Sequence, residues 1–393
     1  MSIIDKRKIG YKANVIYNKG NTLFNKTTIR QKANKMYIKN LVINNFKNFE
    51  SSQFDFSSLN CIIGNNGKGK TNILDAIYYL SFCRSFLASK DIDVINYDKD
   101  FFSLKGTFVN DEDLTNEYLI SQKKGERKTL KHDKQPYKKL SEHIGKIPCV
   151  VISPLDHIYI TGRSEQRRKF MDVCLSQIDV VYMDTLINYN KCLEQRNKLL
   201  KNFQLSGIYD SIQMDIWTEK LSSLSDIIKA KRKDFFEEFS APFQHYYQFV
   251  SNSNETPSVV YKTYENNLLD ILHRDIERDK ILGYTNNGVH RDDLIFYLNN
   301  HDVNHIASQG QQKTFLVALK LAQFDYIKTH KSITPILLLD DIFDKFDFER
   351  VQKVISLVVS QDLGQVFITD THLSRVKDII PENKKNDSTI IEL

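Results

Sequence analysis

The sequence predicts an α/β fold built around a phosphate-binding loop and interrupted by a block of helices. Three observations predict it. Leu59-Asn60-Cys61-Ile62-Ile63 reads as a buried strand, and it runs through a glycine-rich loop into the helical pattern of Asn72 to Leu80. A second apolar strand, Pro335 to Leu339, ends in the paired acids Asp340 and Asp341. Between them, residues 164–250 carry apolar side chains at helical spacing, as in Phe170, Met171, Cys174 and Leu175.

The loop is Gly64-Asn65-Asn66-Gly67-Lys68-Gly69-Lys70-Thr71, followed by Asn72. Strand, glycine-rich turn, Gly-Lys-Thr and helix form a P-loop in its proper context. Its glycines let backbone N–H groups turn inward around phosphate oxygens, and the helix start adds the positive end of its dipole. Lys70 is placed to neutralise β- and γ-phosphates, and Thr71 to ligate Mg²⁺. The acid strand is expected to lie beside the P-loop strand, which brings Asp340 into the same metal shell. Asp341, one residue on, is placed to orient or deprotonate an attacking water.

Composition narrows the class. The 393 residues are enough for two domains, or for one large domain with an insertion. With 41% hydrophobic and 26% charged residues, the chain is an ordinary globular one. No apolar run approaches the ~20 residues of a membrane span, and the start lacks a signal-peptide pattern. Cys61, Cys83, Cys149, Cys174 and Cys192 lack C-x-x-C spacing and read as reduced thiols. Together these features predict a cytoplasmic protein without a membrane partner. A net charge of +6 permits a nucleic-acid partner without requiring one.

Taken in order, residues 1–35 are polar and basic, with nine Lys and Arg facing the single acid Asp5. They predict a poorly ordered extension, or a basic arm, and Met36 is an alternative start. Strand patterns follow at Tyr37 to Ile43 and at Phe54 to Phe56. Arg84 lies just past the P-loop helix, about 20 Å from Lys70 at helical rise. It reads as a DNA or partner contact, or as a helix-end arginine suited to the dipole. After strands near 102–109 and 116–122 comes a basic stretch that includes Lys123, Lys124, Arg127 and Lys128. It suits a hairpin with a charged tip, either solvated or neutralising DNA phosphates. Pro148 to Ile152 is a short buried strand.

Within the helical block, Trp217 and His245-Tyr246-Tyr247 read as packing residues. His290, in Gly288-Val289-His290-Arg291-Asp292-Asp293, has no nucleophile or metal-ligand partner nearby and reads as structural. Ser308-Gln309-Gly310-Gln311 opens an amphipathic helix whose N-terminus is a second anion site. The strand Gln365 to Thr369 ends at Asp370-Thr371-His372. Ligands bind at the carboxyl ends of parallel strands, so His372 is a candidate γ-phosphate sensor, with a surface histidine as the other reading.

In this order, the motifs resemble the ABC-type ATPase heads of the SMC family, and most closely the RecF family. The likeness runs from Met36 to the C-terminus. It rests on residues 64–72, Arg84-Ser85, Ser153-Pro154-Leu155-Asp156, Arg167 to Asp172, Gln195 to Leu200, His290 to Asp293, Ala307 to Lys313 and Leu337 to Asp341. Three departures from the wider pattern stand out. The signature reads Ser308-Gln309-Gly310-Gln311, with Gln309 beside Gly310 where most ABC proteins carry two adjacent glycines, a difference that RecF proteins share. Asp341 stands where most have Glu, which suggests slow turnover. Asp344-Lys345-Phe346-Asp347 replaces the usual RecF Ser-Glu-Leu-Asp.

The resemblance implies an ABC-type P-loop ATPase head with a mixed β-sheet (lobe I) and an inserted helical lobe II. The parts would be a basic extension (1–35), lobe I (36–153), the insertion (154–281) and the rest of lobe I (282–393). It implies ATP and Mg²⁺ as cofactors, with Lys70, Asp341 and His372 catalytic. Ser308, Gln309, Gly310 and Gln311 would complete a site on a second subunit's ATP, making a slow ATPase that dimerises on ATP. It further implies DNA as partner, single-stranded and gapped duplex, with RecR and RecO, in recombinational repair, replication-fork maintenance, recombinase loading and SOS induction. The alternatives are the ATPase subunit of a transporter or of an ATP-dependent nuclease.

Overall fold

A computed structural model describes residues 33–251, 253–342, 348–360, 364–377 and 387–393. The readings made on residues 1–32 and on 344–347 lie outside the described residues. The chain divides into two units at Lys32/Ala33, and everything below concerns the second.

The strand β1 (Asn34–Phe46) begins before the Met36 boundary that its composition suggests. Asn34 and Lys35 pair in parallel with a two-residue strand at Ile333–Thr334, a remote partner that local patterning does not signal. Next come β2 (Phe49–Asp55), β3 (Leu59–Ile63) and α1 (Lys70–Phe82). They are followed by β4 (Phe101–Asn110), β5 (Thr115–Lys123), β6 (Thr129–His132), β7 (Gln135–Pro136) and β8 (Cys149–Ile152).

Helices then dominate, with α2 (Ile158–Thr161), α3 (Ser164–Ile178), α4 (Val180–Ser206) and α5 (Ser211–Ser251). The strand β9 (Pro257–Lys262) has no counterpart in the sequence reading, because its partner lies far along the chain. After α6 (Leu268–Arg274) and α7 (Ile276–Leu282), β9 pairs antiparallel with β10 (Asp293–Leu298). The remaining elements are β11 (His301–Asp302), α8 (Val303–Ile306), α9 (Gln309–Lys331), β12 (Ile333–Thr334), β13 (Ile336–Leu339), α10 (Phe348–Ser360), β14 (Val366–Asp370), α11 (Leu373–Lys377) and β15 (Ser388–Glu392).

Two sheets carry the nucleotide motifs. One is mixed, in the order β12-β1-β4-β5-β6-β7 with β2 also on β1; only the β12–β1 pairing is parallel. The other is parallel throughout, in the order β15-β3-β14-β13-β8. This order corrects one expectation. The acid-bearing strand β13 does not lie beside the P-loop strand β3, because β14 sits between them. The P-loop strand is followed by a helix and long excursions, so β14, late in the sequence, takes the neighbouring slot.

Side chains alternate across a strand, and the parallel sheet uses both faces. Cys61, Val150, Leu337 and Ile368 face the core shared with α3, α5 and α9. Ile62, Val151, Leu338 and Phe367 face the core shared with α1 and the mixed sheet. A strand buried on both sides reads as continuously apolar, as β3 and β13 do.

The helical part is tied by buried ions. Arg232, 2% exposed, reaches Asp292 at 2.7 Å and Asp172 at 2.8 Å. Arg196, fully buried, reaches Asp279 and Thr285 at 2.7 Å each. Arg167 holds Asp293 through two hydrogen bonds of 2.7 and 2.9 Å. Among the described residues, no helix is long and apolar enough to cross a membrane.

Candidate nucleotide site

The carboxyl ends of β3, β14 and β13 converge on the P-loop. Gly64 N–H donates to the Asp370 carbonyl at 3.3 Å, which fixes the loop's first residue to the end of β14. Gly69 precedes α1 with φ of +108°, in the region that favours glycine. A Cβ there would also lie 2.7 Å from Asn48 Nδ2 and 2.8 Å from the Phe49 ring. The turn between β1 and β2 therefore buttresses the loop directly. Asn48 Nδ2 donates to the Lys68 carbonyl at 3.1 Å, and Asn72 Nδ2 donates to Asn48 Oδ1 at 2.6 Å. Asn48 is a contributor that the motif-based reading missed; its only signal is its place in the turn before the P-loop strand.

Lys70 is 4% exposed, and its ammonium points back into the loop. It donates to the Gly64 carbonyl at 2.7 Å, the Asn65 carbonyl at 3.3 Å and Asn66 Oδ1 at 3.4 Å. These oxygens hold a cation in the space that phosphates compete for. Thr71 Oγ1 donates to Asp340 Oδ1 at 2.9 Å. The two residues named as metal ligands thus meet, although the strands that lead to them, β3 and β13, are not neighbours. Asp340 is 4% exposed, and burial pushes its carboxyl up to about 6. Its hydrogen bonds from Thr71 and Thr369 and the charge of Lys70 pull the other way, while Asp341 adds to the rise.

The oxygen donors Thr71 Oγ1 and Asp340 Oδ1 suit a hard cation such as Mg²⁺, which takes few protein ligands and completes its shell with phosphates and water. Asp370 ends the intervening strand with Oδ2 buried and without a hydrogen-bond partner among the described residues. A metal-bound water would satisfy such an orphaned oxygen. Where held, Mg²⁺ would neutralise developing charge on the phosphates.

Thr369, fully buried, is the second residue that the sequence reading left out. Its hydroxyl donates to Asp340 Oδ1 and accepts from the Asp341 N–H, both at 2.9 Å. Asp341 has φ of +44°, in the left-handed region. A Thr inside a buried strand reads as an ordinary β-branched core residue, so pattern alone does not single it out. His372 is exposed, and its N–H donates to Asp370 Oδ1 at 2.6 Å. It stands on the same sheet edge as the loop.

Ser308, Gln309, Gly310 and Gln311 belong to a separate network. Ser308 N-caps α9 in a capping box with Gln311. The Ser308 N–H donates to Gln311 Oε1 at 2.7 Å, and Gln311 Nε2 donates to Glu255 Oε1. Both ends of the Gln311 carboxamide are engaged within the chain. Ser308 and Gln309 are exposed. His290, read as structural, bonds the Tyr189 hydroxyl at 2.6 Å and the Thr285 carbonyl at 3.0 Å, and burial lowers it to about 4.

The cationic candidates differ from one another. Arg84 is exposed, just past the left-handed Cys83 that ends α1. Buried Asp75 anchors the residues after it, accepting from Ser85 Oγ at 2.7 Å and Phe86 N–H at 2.9 Å, and it pairs with Lys47 at 2.6 Å. Lys123, Lys124 and Arg127 are exposed at the β5–β6 hairpin tip, as the spacing predicts. Lys128 departs from its expected place on that tip. Its side chain is 9% exposed and its ammonium pairs with Asp91 at 2.7 Å, donates to the Cys83 carbonyl and lies 4.8 Å from the Tyr79 ring centroid. A lysine held by a carboxylate, a carbonyl and an aromatic face ties the hairpin to the residues around the end of α1.

Comparison with known proteins then places this geometry. The family described as RecF/RecN/SMC N terminal domain matches residues 37–383. A DNA replication and repair protein RecF from Flavobacterium johnsoniae is 43% identical over 348 residues, covering 88% of this chain and 97% of its own. One from Phocaeicola vulgatus is 44% identical over 349 residues, covering 88% and 93%. A solved structure of the recombination mediator protein RecF-ATP in the RecFOR pathway superposes with a TM-score of 0.80 at 29% identity, covering 86% of this chain and 93% of that one.

Proposed function

The chain belongs to the RecF family of DNA replication and repair proteins, and from that premise we propose that it is an ATP-dependent DNA-binding protein of recombinational repair and replication-fork maintenance. It binds ATP at residues 64–72 and hydrolyses it slowly, using ATP as an adhesive between two copies. The observation that carries the reading is the 2.9 Å hydrogen bond between Thr71 and Asp340, which joins the P-loop to the acid strand across β14. Transporter and nuclease subunits share the nucleotide motifs, but neither alternative accounts for relatives over 40% identical that are named RecF.

In this reading Lys70 leaves the loop carbonyls for the β- and γ-phosphates. Thr71 and Asp340 hold Mg²⁺, Asp341 orients the attacking water, and His372 senses the γ-phosphate. Ser308 and Gly310 act on the ATP of the second copy, while Gln311 holds the start of α9 in shape for them. Lobe I would comprise residues 36–153 and 282–393, with 154–281 inserted as lobe II. Arg84 and the hairpin cations Lys123, Lys124 and Arg127 face DNA, at gaps between single and double strands, with RecR and RecO as protein partners.

The test is a pair of variants. Lys70→Ala removes ATP binding, measured by titration with a fluorescent nucleotide, and with it ATP-driven dimerisation in sedimentation. Asp341→Asn lowers turnover by about 100-fold or more and leaves the ATP-bound dimer in place. A Lys70→Ala chain that still dimerises with ATP would overturn the site assignment, and wild-type turnover in Asp341→Asn would overturn the role of Asp341.

A further inference from the structure

We infer that Thr369 is the positioning residue that sets both acids of the nucleotide site, an inference that rests on the ATPase reading above. One hydroxyl makes two directional bonds. It donates its proton to Asp340 Oδ1, and its oxygen accepts from the Asp341 backbone N–H, both at 2.9 Å. The first bond shares Asp340 Oδ1 with Thr71 Oγ1, so that oxygen is held from two sides and the carboxylate plane is set. The second bond falls on the one backbone group that must turn for Asp341 to follow Asp340 at φ of +44°. A non-glycine residue in that region is uncommon and needs support from its surroundings.

The sheet order explains why this residue carries the role. Since β14 lies between β3 and β13, Thr369 is the group that stands between P-loop and acids. Thr369 pairs with Ile62 on β3, one residue short of the strand's end, while Leu339 on β13 pairs with Ile368. Its side chain is therefore level with Asp340, the residue after Leu339, and the hydroxyl reaches across the sheet edge. It is fully buried, so water does not substitute for it. Asp370 repeats the device one residue later, with Oδ1 accepting the His372 N–H at 2.6 Å and its backbone carbonyl accepting from Gly64. Thr369 touches neither nucleotide nor metal in this account. It acts through the residues that do, as outer groups around metal ligands do generally.

The experiment compares Thr369→Val, which keeps the shape and removes the hydroxyl, with Thr369→Ser, which keeps the hydroxyl. Three quantities are measured on the full chain. They are the ATPase kcat and KM, the affinity for Mn²⁺ in the presence of ATPγS by electron paramagnetic resonance, and the thermal midpoint without nucleotide. The expected result is that Val lowers both kcat and Mn²⁺ affinity by about 10-fold or more, the range seen when outer partners of metal ligands are removed. Ser should stay within about threefold of wild type in both. A purely structural Thr would move the midpoint and leave Mn²⁺ affinity unchanged in the folded fraction. Val with wild-type kcat and Mn²⁺ affinity overturns the inference alone, as does Ser failing as badly as Val. A wild-type chain that binds no ATPγS overturns the inference together with the reading beneath it.

Discussion

His143 shows what burial does to one side chain outside the site. It is fully buried, with Nε2 2.6 Å from the Leu80 carbonyl and Nδ1 without a hydrogen-bond partner among the described residues. Burial disfavours the charged ring and lowers its pKa from 6.5 to about 4. The unfolded chain then binds a proton between those values that the folded chain does not. Stability from this group is complete above pH 6.5 and is lost as pH falls toward 4, about 3 kcal/mol across the full window. Urea midpoints measured from pH 7 to 4 should fall, and in His143→Gln the fall should be shallower by close to one proton. An unchanged slope contradicts the assignment. At this scale the sequence is legible only where chemistry demands a residue type in a fixed pattern. Lys70, Thr71 and Asp340 are found that way. Thr369 and Asn48 are not, because a buried Thr and a turn Asn are common for reasons unrelated to any site. Lys128 leaves its expected place on the hairpin tip for the matching reason: a charge run is visible in sequence, whereas the burial of one of its members is not.

At the scale of elements, the P-loop unit and the acid strand announce themselves, but their spatial order does not. Periodicity identifies β3, β13 and β14 as buried strands and is silent on which lies between the others. The two-residue pairing of β1 with β12 and the pairing of β9 with β10 are missed because neither has a local turn to mark it. The family-like stretches outside the nucleotide motifs gain a physical role here. Arg167 to Asp172, Gln195 to Leu200 and His290 to Asp293 supply much of the buried ionic lattice that ties α3 and α5 to the start of β10 and α4 to α7. Removing Arg232 leaves the carboxylates of Asp172 and Asp292 near one another without their shared cation. Breaking a buried pair from one side costs about 3–5 kcal/mol. Arg232→Ala should therefore show a greatly lowered urea midpoint, while a variant of an exposed pair such as Lys198→Ala stays within about 0.5 kcal/mol of wild type. Equal losses in the two would show that the lattice does not hold the helices.

At the scale of the whole molecule, the P-loop and the segment Ser308 to Gln311 occupy separate hydrogen-bond networks. One runs through Asn48, Asp340, Thr369 and Asp370, the other through Glu255. These bonds do not join the two segments within one chain, and in the proposed clamp each segment serves the other copy. The central claim is tested most directly by mixing two defective chains, Lys70→Ala and Ser308→Arg, and following their size with ATP by sedimentation velocity. Each chain alone should remain monomeric. In the mixture, the intact P-loop of the Ser308→Arg chain meets the intact Ser308 of the Lys70→Ala chain, and an ATP-dependent dimer with one working site should appear. A mixture that stays monomeric while wild type dimerises, or a Ser308→Arg chain that dimerises unaided, would contradict the assignment of these residues to opposite sides of a shared ATP.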